Sequence, residues 1–342
     1  LRLFQSNNMR NLAVAFCKNE PETRDPFKAS TVIIQSFDLR YWLQMQTARL
    51  TGISSNIDFQ LPASFLWKLY RYLQPEISDL DRSPFEREQM VWRLMRILDK
   101  SHSSYQDIAI YLQQEEKRNL RLYELSNELA SLFDEYLMYR PDWVLDWESS
   151  SRISASRDEE WQVSLWREIQ EDLGDKSGLH RAALHNLAMN KINRDAELPW
   201  SRLSIFGFSS MPPLQLETFQ RLSELIDVDI YFLNPCHEYW GDIVSETERA
   251  RRSLKAIRNK PSTNLHEDYF EIGQPILSSL GQLGRDYFEL LNGIENLQTF
   301  DIFSEPNSET NLGYVKKQIF SLSYSRDKDL LKKDQQAALK SD

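Results

Sequence analysis

A short run of β-branched and apolar residues at 31–35, TVIIQ, most constrains what this chain can fold into. Successive side chains of a strand point to opposite faces, so a run without alternation must be buried on both faces. Such strands are typical of parallel sheets, which are covered by helices on each side. A strand-like segment at 1–5 and helical patterns at 9–16 and 38–50 surround the run. The order strand, helix, strand, helix predicts an α/β fold.

The middle of the chain follows a different pattern. Between residues 62 and 190 apolar residues recur at helical spacing, and strand signals are almost absent. Strand-like runs return at 202–208 and 228–233, with a helical pattern between them. We therefore expect one parallel sheet made of the strands near Leu3, Ile33, Ile205 and Ile230.

These patterns divide the chain into three predicted parts. Residues 1–60 and 195–310 form a discontinuous α/β domain, and residues 61–194 form a large all-α insertion. Residues 311–342 form a polar tail rich in Lys, Asp, Gln and Ser, for which we expect a lone helix or poor order.

Trp67 lies near the start of a helix that we expect to begin at Pro62, where proline costs little because its missing N–H has no intrahelical partner. Trp67 falls off the apolar line of this helix. By spacing alone a buried aromatic is the commoner outcome, and the alternative is a platform on which a nucleobase stacks. The apolar line itself consists of Leu61, Phe65, Leu66, Leu69 and Tyr70.

The formal net charge of −10 limits how this chain could meet nucleic acid. Proteins that bind nucleic acid on their own usually carry the opposite sign, so DNA contact would need a local groove or a more basic partner. The basic stretch at 249–260 is most often a solvated face, with phosphate contact as the alternative. Only two cysteines, no signal peptide and no bilayer-length apolar run lead us to expect a cytoplasmic protein without membrane contact.

An α/β sheet with an early all-α insertion resembles the motor domains of superfamily-1 helicases. That resemblance implies a phosphate loop after the first strand, with a Gly-rich backbone and a Lys. The corresponding residues here are 5–10, QSNNMR, which contain neither. The strand at 202–208 is followed by Ser209 and Ser210 rather than by the carboxylates that hold Mg²⁺. We expect no ATPase activity from this chain.

A nuclease site is the other enzymatic possibility. Asp142 could be the first residue of a nuclease site made of two carboxylates and a lysine. However, no downstream Lys has an acidic residue two positions before it. His180 and His185 are five residues apart, off the i, i+4 pairing that is usual for a helical metal site. We therefore predict no catalytic residues, no metal ligands and no cofactor.

Five segments together resemble one family. They are TVIIQSFDLRYWLQM at 31–45, NIDFQLPASFLW at 56–67, LFDEYLMYRPDW at 132–143, NPCHEYWGDI at 234–243 and GRDYFELL at 284–291. In this order they resemble the RecC family, the gamma subunit of the bacterial exodeoxyribonuclease V, RecBCD. The resemblance runs from residue 1 to about residue 291, and RecC chains are much longer than this one.

The resemblance implies a helicase-like fold that has lost its motor motifs, which agrees with the missing phosphate loop. It further implies a non-catalytic subunit that channels the 3′-tailed single strand, scans it for the Chi sequence and scaffolds its partners. Those partners are single-stranded and fork DNA, a RecB-like helicase-nuclease and a RecD-like helicase. The DNA-binding residues that it implies are Gln35, Leu61, Trp67, Leu132, Asp134, Arg140 and Arg181.

The side chains at several of these positions suit such roles. The amide of Gln35, at the carboxyl end of a parallel strand, can read a base edge. Trp67 can stack on a base. Arg140 and Arg181 can pair with phosphate or with a purine acceptor, and Asp134 can accept from a base amine or orient an arginine.

Three positions depart from the family pattern. Phe37 replaces a Thr, Tyr41 replaces a Gln and Ser131 replaces an Asp. We therefore expect a DNA channel that reads a different sequence or reads it weakly. Two other functions compete with this one: a working helicase or nuclease, against which the absent motifs count, and a purely structural partner-binding module, which the negative charge favours. Convergence of the implied side chains on one groove would discriminate between DNA reading and a structural module.

Overall fold

The computed structural model describes residues 1–19, 29–77, 79–101, 105–112, 117–149, 157–193, 196–243 and 274–323. Within these residues the chain is an α/β protein with a six-stranded, all-parallel sheet. The basic stretch at 249–260 and the end of the polar tail, 324–342, lie outside the described residues. Of the helices in the described ranges, none is long and apolar enough to cross a bilayer.

Strands and helices alternate at both ends of the chain, and helices alone fill its middle. The strands are β1 (Arg2–Ser6), β2 (Ser30–Ile34), β3 (Ile57–Gln60), β4 (Arg202–Phe206), β5 (Asp227–Leu233) and β6 (Gln298–Asp301). The helices before β4 are α1 (Met9–Asn19), α2 (Phe37–Thr51), α3 (Pro62–Leu73), α4 (Arg87–Ser101), α5 (Gln106–Leu112), α6 (Arg118–Tyr139), α7 (Pro141–Glu148), α8 (Arg157–Leu173) and α9 (Arg181–Lys191). The later helices are α10 (Pro213–Leu222), α11 (Pro275–Leu280), α12 (Gln282–Asn292) and α13 (Asn311–Phe320).

The strands follow the order β3-β2-β4-β5-β1-β6. In β1 and β5, Leu3 lies opposite Ile230, and in β2 and β4, Ile33 lies opposite Ile205. The prediction that these four strands form one parallel sheet is therefore confirmed. The sequence pattern does not predict β3 and β6, because they are the edge strands: no residue of β3 is fully buried, and β6 is exposed throughout.

Both faces of the central strands are buried. On one face, the rings of Phe206 and Tyr231 meet Phe16 of α1 edge-on, with centroids 6.1 and 5.7 Å apart. On the other face, Phe232 meets Tyr287 of α12 with centroids 5.4 Å apart. The neighbours Tyr231 and Phe232 thus pack on opposite sides of the sheet, which explains why β5 ends in the apolar run IYFL at 230–233.

Helix α2 buries a narrower face than its sequence indicates. Ser36 caps the helix by accepting a hydrogen bond from the backbone N–H of Leu39 at 3.3 Å. The apolar pattern predicts that Leu39, Trp42, Leu43 and Met45 face inward, and for Met45 this prediction is wrong, because its side chain is 55% exposed. Two residues along a helix turn by about 200°, so Met45 lies almost opposite the buried Leu43.

The chain divides into two compact units. The sheet unit consists of Leu1–Pro62, Leu198–Met211 and Ile226–Asp342, and the helical unit of Ala63–Glu197 and Pro212–Leu225. Helix α10 therefore belongs to the helical unit, although β4 and β5 flank it in the sequence. Phe219 of α10 packs on Phe65 of α3 with ring centroids 5.9 Å apart, and this buried contact joins α10 to the unit.

Large aromatic side chains form the core of the helical unit. Trp166 of α8 contacts Phe85 and Phe133, each with ring centroids 5.4 Å apart. Its indole N–H donates to Glu148 of α7 at 3.1 Å. A buried indole without an acceptor would cost free energy, and the carboxylate removes that cost. The tryptophan can therefore fill the core without leaving an unsatisfied donor.

A buried ion pair joins the central strands of the sheet unit. Asp229 of β5 is 0% exposed, and its two carboxylate oxygens accept hydrogen bonds from Arg2 of β1 at 2.7 and 2.9 Å. The guanidinium of Arg202 on β4 lies 4.0 Å from the same carboxylate. The hydrogen bond to Asp229 raises the pKa of Arg2. One carboxylate thus interacts with the strands on both of its sides.

We expect Asp229→Ala to lower the free energy of unfolding by about 3 kcal/mol, because the mutation leaves the partly buried guanidinium of Arg2 without its partner. Asp227→Ala is the matched control. Asp227 pairs with Arg202 at 2.9 Å, but its side chain is 64% exposed, so we expect a loss of about 0–1 kcal/mol. Denaturant unfolding of both variants measures the difference, and equal losses would contradict the assigned role of Asp229.

Candidate nucleic-acid interface

Three residues that the resemblance implies for DNA binding line one pocket. Trp67 of α3, Asp134 of α6 and Arg181 of α9 border a cavity of about 270 Å³ in the helical unit. Tyr70, Ser83, Glu86 and Gln215 complete its polar lining. Side chains far apart in the sequence therefore meet at one concave site, where they present an aromatic ring, a carboxylate and a guanidinium.

The first turn of α9 positions Arg181. His180 is the N-cap residue, and its Nδ1 accepts a hydrogen bond from the backbone N–H of Ala183 at 3.3 Å. Nε2 of His180 lies 2.9 Å from Oε1 of Glu148, and its ring stands edge-on to Trp166. The buried imidazole anchors the start of α9 to the core, so the backbone of Arg181 is fixed where its side chain enters the pocket.

A hydrogen bond holds the ring of Trp67 at the pocket. Its Nε1 donates to the carbonyl oxygen of Asp81 at 2.8 Å, and the side chain is half-buried rather than buried. The loop that contains Asp81 is itself tied down, because the hydroxyl of Ser83 donates to the carbonyl of Leu179 at 2.9 Å. A ring that is fixed in orientation and partly open to solvent has the properties of a stacking surface.

Charged and polar groups lie side by side in this pocket. Nη2 of Arg181 is 3.4 Å from Oδ1 of Asp134, which is a charge contact rather than a short hydrogen bond. Among the described residues, neither the buried Nη1 of Arg181 nor the hydroxyl of Tyr70 has a hydrogen-bond partner. The pocket therefore holds two unsatisfied donors beside a carboxylate.

Three of the other implied residues lie outside this pocket's lining. Gln35 directly follows β2 and is exposed, and Leu61 is half-buried between β3 and α3. Both belong to the sheet unit. Leu132 of α6 is partly buried and packs against the hydrophobic core of the helical unit.

Arg140 also lies outside the pocket, at the junction of α6 and α7. It is exposed, and it forms two hydrogen bonds to the carboxylate of Asp142, at 3.1 and 2.7 Å. These bonds lower the pKa of Asp142. The guanidinium lies 3.9 Å from the ring centre of Trp143, a cation–π contact. Arg140 is therefore held in place by two neighbouring side chains.

The loop between β1 and α1, where a phosphate loop would lie, is bonded to the segment that follows β6. Asn7 donates to the carbonyl of Ser304 and accepts from its N–H, at 2.8 and 3.0 Å. Ser6 and Asn11 both donate to the carbonyl of Ile302, at 2.8 and 3.1 Å. The polar side chains of this loop are thus engaged by the chain itself.

Comparison with known proteins identifies the family. The profile described as RecC, N-terminal domain, matches residues 1–322. The chain belongs to the RecC family. The RecBCD enzyme subunit RecC of Escherichia coli (strain K12) is 32% identical over 94% of this chain and 31% of its own length. The same subunit of Haemophilus influenzae is 31% identical over 87% of this chain and 31% of its own length. The chain thus spans less than a third of these relatives.

The structure describes the surroundings of the three positions at which the sequence is expected to depart from the family pattern. Phe37 and Tyr41 follow Gln35 on α2, and their side chains are 54% and 64% exposed. Ser131 of α6 donates its hydroxyl hydrogen to the backbone carbonyl of Asn127 at 3.1 Å. At these positions this chain therefore has two exposed aromatic rings and a hydroxyl that is bonded to its own helix.

The pocket includes residues that the sequence does not indicate for binding. Tyr70 fits the apolar line of α3, so spacing assigns it to the core, and Ser83 and Gln215 belong to no motif. Gln215 reaches the pocket because α10 joins the helical unit. Spacing does not reveal that a buried hydroxyl lacks a partner. The structure is needed to recognise these residues.

Among the described residues, no group of three or more His, Cys, Asp or Glu side chains could hold a metal ion.

A buried histidine on α9 makes the stability of the helical unit dependent on pH. His185 is 5% exposed, and its Nε2 lies 3.4 Å from a carboxylate oxygen of Glu217. Burial lowers the pKa of His185 below its ordinary value of 6.5, and Glu217 opposes this only in part. Below that pH the unfolded chain binds a proton that the folded chain does not, so stability decreases as the pH falls.

We expect the melting temperature to fall between about pH 7 and about pH 5, and we expect His185→Gln to reduce that fall because Gln does not titrate. Thermal unfolding at a series of pH values measures both curves. His237→Gln is the control, since the side chain of His237 is 53% exposed. An unchanged pH dependence in H185Q would contradict the prediction.

Proposed function

We propose that this chain is part of a non-catalytic subunit of a RecBCD-type helicase-nuclease complex that repairs double-strand breaks. In this role it channels the 3′-tailed single strand, scans it for Chi and scaffolds the partner subunits. The observation that carries the proposal is the convergence of Trp67, Asp134 and Arg181 on one pocket. These residues come from three different helices and are three of the positions that RecC resemblance implies for DNA contact.

The chemistry of the pocket supports contact with a single strand. Stacking of a base on an aromatic side chain contributes about 1–3 kcal/mol and is open to any base. The guanidinium of Arg181 can bind phosphate or a purine acceptor. The net charge of −10 does not oppose this, because the contact is local and needs no basic surface over the whole chain.

Gln35, Leu61, Leu132 and Arg140 do not line the pocket, and we propose unequal roles in DNA contact for them. Gln35 is exposed at the carboxyl end of a parallel strand, where α/β sheets bind ligands. Leu132 is half-buried, packs against the core and would act by supporting α6. Arg140 would have to exchange its bonds to Asp142 for bonds to phosphate. The exposed rings of Phe37 and Tyr41 would favour a strand sequence different from the one other RecC proteins read.

We also propose that the fold is a helicase-like motor domain without a motor, with residues 61–194 as an all-α insertion between residues 1–60 and 195–310. The all-parallel sheet and the helices between β3 and β4 support this interpretation. The loop after β1 lacks Gly and Lys, and its side chains bond to the segment after β6. In the proposed complex, ATP hydrolysis belongs to a RecB-like and a RecD-like subunit.

A purely structural module that binds partners without touching DNA is the alternative. The observation that favours it is an exposed apolar surface on α4 and α6. Trp92 is 66% exposed, and its ring lies 6.2 Å from that of Tyr123, which is 44% exposed. Scaffolding and DNA scanning are compatible, so the decisive difference between the two proposals is the behaviour of the pocket.

We expect Trp67→Ala to weaken single-strand binding by about 1–3 kcal/mol, the loss of one stack, with a small change in melting temperature. The measurement pairs thermal unfolding with single-strand affinity and Chi response, in the full-length protein assembled with its partner subunits. Tyr72→Ala is the matched control, because Tyr72 is an exposed aromatic residue on the same helix as Trp67 and does not line the pocket. We expect it to leave DNA affinity unchanged.

Two outcomes would count against a stacking role for Trp67. The first is a decrease of about 3–5 kcal/mol in the free energy of unfolding of Trp67→Ala, as large-to-small mutations in a core produce. The second is a stable Trp67→Ala variant with normal single-strand affinity and a normal Chi response, which would favour the structural partner-binding module.

We expect the chain by itself not to hydrolyse ATP, because the loop after β1 offers neither a glycine cradle nor a lysine to the triphosphate. A coupled phosphate-release assay with and without single-stranded DNA measures this. DNA-stimulated turnover that survives purification and disappears when this chain is mutated would refute the non-catalytic assignment.

A further inference from the structure

The hydroxyl of Tyr70 is one of several buried polar groups of the helical unit that have no hydrogen-bond partner among the described residues. The side chain is 2% exposed and lines the pocket that Trp67 and Arg181 border. Within the described ranges its hydroxyl has no hydrogen-bond partner. A buried hydroxyl without a partner lowers stability, whereas a phenylalanine of the same shape would not. Packing alone therefore does not explain a tyrosine rather than a phenylalanine at this position.

Arg181 supplies a second unsatisfied donor in the same pocket. Its Nη2 faces Asp134, but its Nη1 is buried without a partner in the part of the chain that the structure describes. Burial raises the pKa of Tyr70 far above its ordinary range, against the opposing charge of Arg181. Tyr70 therefore keeps its proton at neutral pH and can donate it in a hydrogen bond.

We infer that Tyr70 is a specificity-determining residue that, together with Arg181, donates hydrogen bonds to the acceptor edge of a single guanine base in the pocket. The inference rests on the proposed function, since the base belongs to the scanned single strand. Trp67 provides the surface against which the base stacks. The base satisfies the two donors that have no partner among the described residues.

On the edge that faces the major groove in duplex DNA, guanine fits these donors better than the other bases do. Its O6 and N7 are two adjacent acceptors on one edge, whereas adenine replaces O6 with an amino group that would face the donors. Cytosine presents a donor amine, and thymine has one carbonyl beside a methyl group. The cavity of about 270 Å³ lies just below the size of pockets for drug-like ligands, which suits one base.

The test uses Tyr70→Phe in the full-length protein, assembled with the subunits it normally binds. The probes are oligothymidine strands that carry either one guanine or one adenine. We expect the parent protein to bind the guanine strand more tightly. We expect Y70F to lose about 2- to 10-fold of that preference, the equivalent of one hydrogen bond, with adenine binding unchanged. Its melting temperature should equal or exceed that of the parent, because an unsatisfied hydroxyl is removed.

Tyr72→Phe is the matched control, since Tyr72 lies on the same helix but is 46% exposed and does not line the pocket. It should leave the guanine preference unchanged. If Y70F folds and keeps the full guanine preference, or if the parent shows none, the inference is overturned. Trp67→Ala separates this failure from that of the proposed function. Reduced affinity in W67A with unchanged preference in Y70F refutes only the role of Tyr70, whereas normal affinity in W67A refutes both.

Discussion

The ion pair between Arg2 and Asp229 is the interaction on which the sheet depends. The two residues are 227 positions apart, so β1 can pair with β5 only after all the residues between them have been synthesised. The entropic cost of closing so long a loop rises only slowly with its length. A carboxylate left alone between buried strands would cost more. Asp229 therefore favours the one register in which Arg2 of β1 and Arg202 of β4 both reach it.

A similar dependence on buried polar contacts shapes the pocket of the helical unit. Glu148 accepts hydrogen bonds from Trp166 and Gln170, at 3.1 and 2.6 Å, and also faces the ring of His180. Through this carboxylate the aromatic core fixes the first turn of α9 and with it Arg181. Side chains that are already ordered lose little entropy when a ligand arrives. The pocket can therefore be selective although it is small.

The sequence predicts the centre of this fold better than its edges. Strands buried on both faces, such as β2, need a continuous apolar run and are visible from it. The edge strands β3 and β6 bury little, so they leave no such run. Met45 shows the limit within a helix, since hydrophobicity alone does not say which side is covered. For the site, family resemblance indicates Trp67 and Arg181. Only the structure reveals that the buried hydroxyl of Tyr70 has no hydrogen-bond partner among the described residues.

The position of α10 in the helical unit affects how this protein can be dissected. A recombinant fragment cut at residues 63 and 197 would contain α3 to α9 but lack Phe219, so the ring of Phe65 would be uncovered. Exposed apolar surface of this kind promotes aggregation, and the fragment would also lack the Gln215 wall of the pocket. Inactivity of such a fragment would reflect its missing helix rather than its chemistry. Re-attaching α10 behind α9 through a flexible linker would keep the helical unit whole.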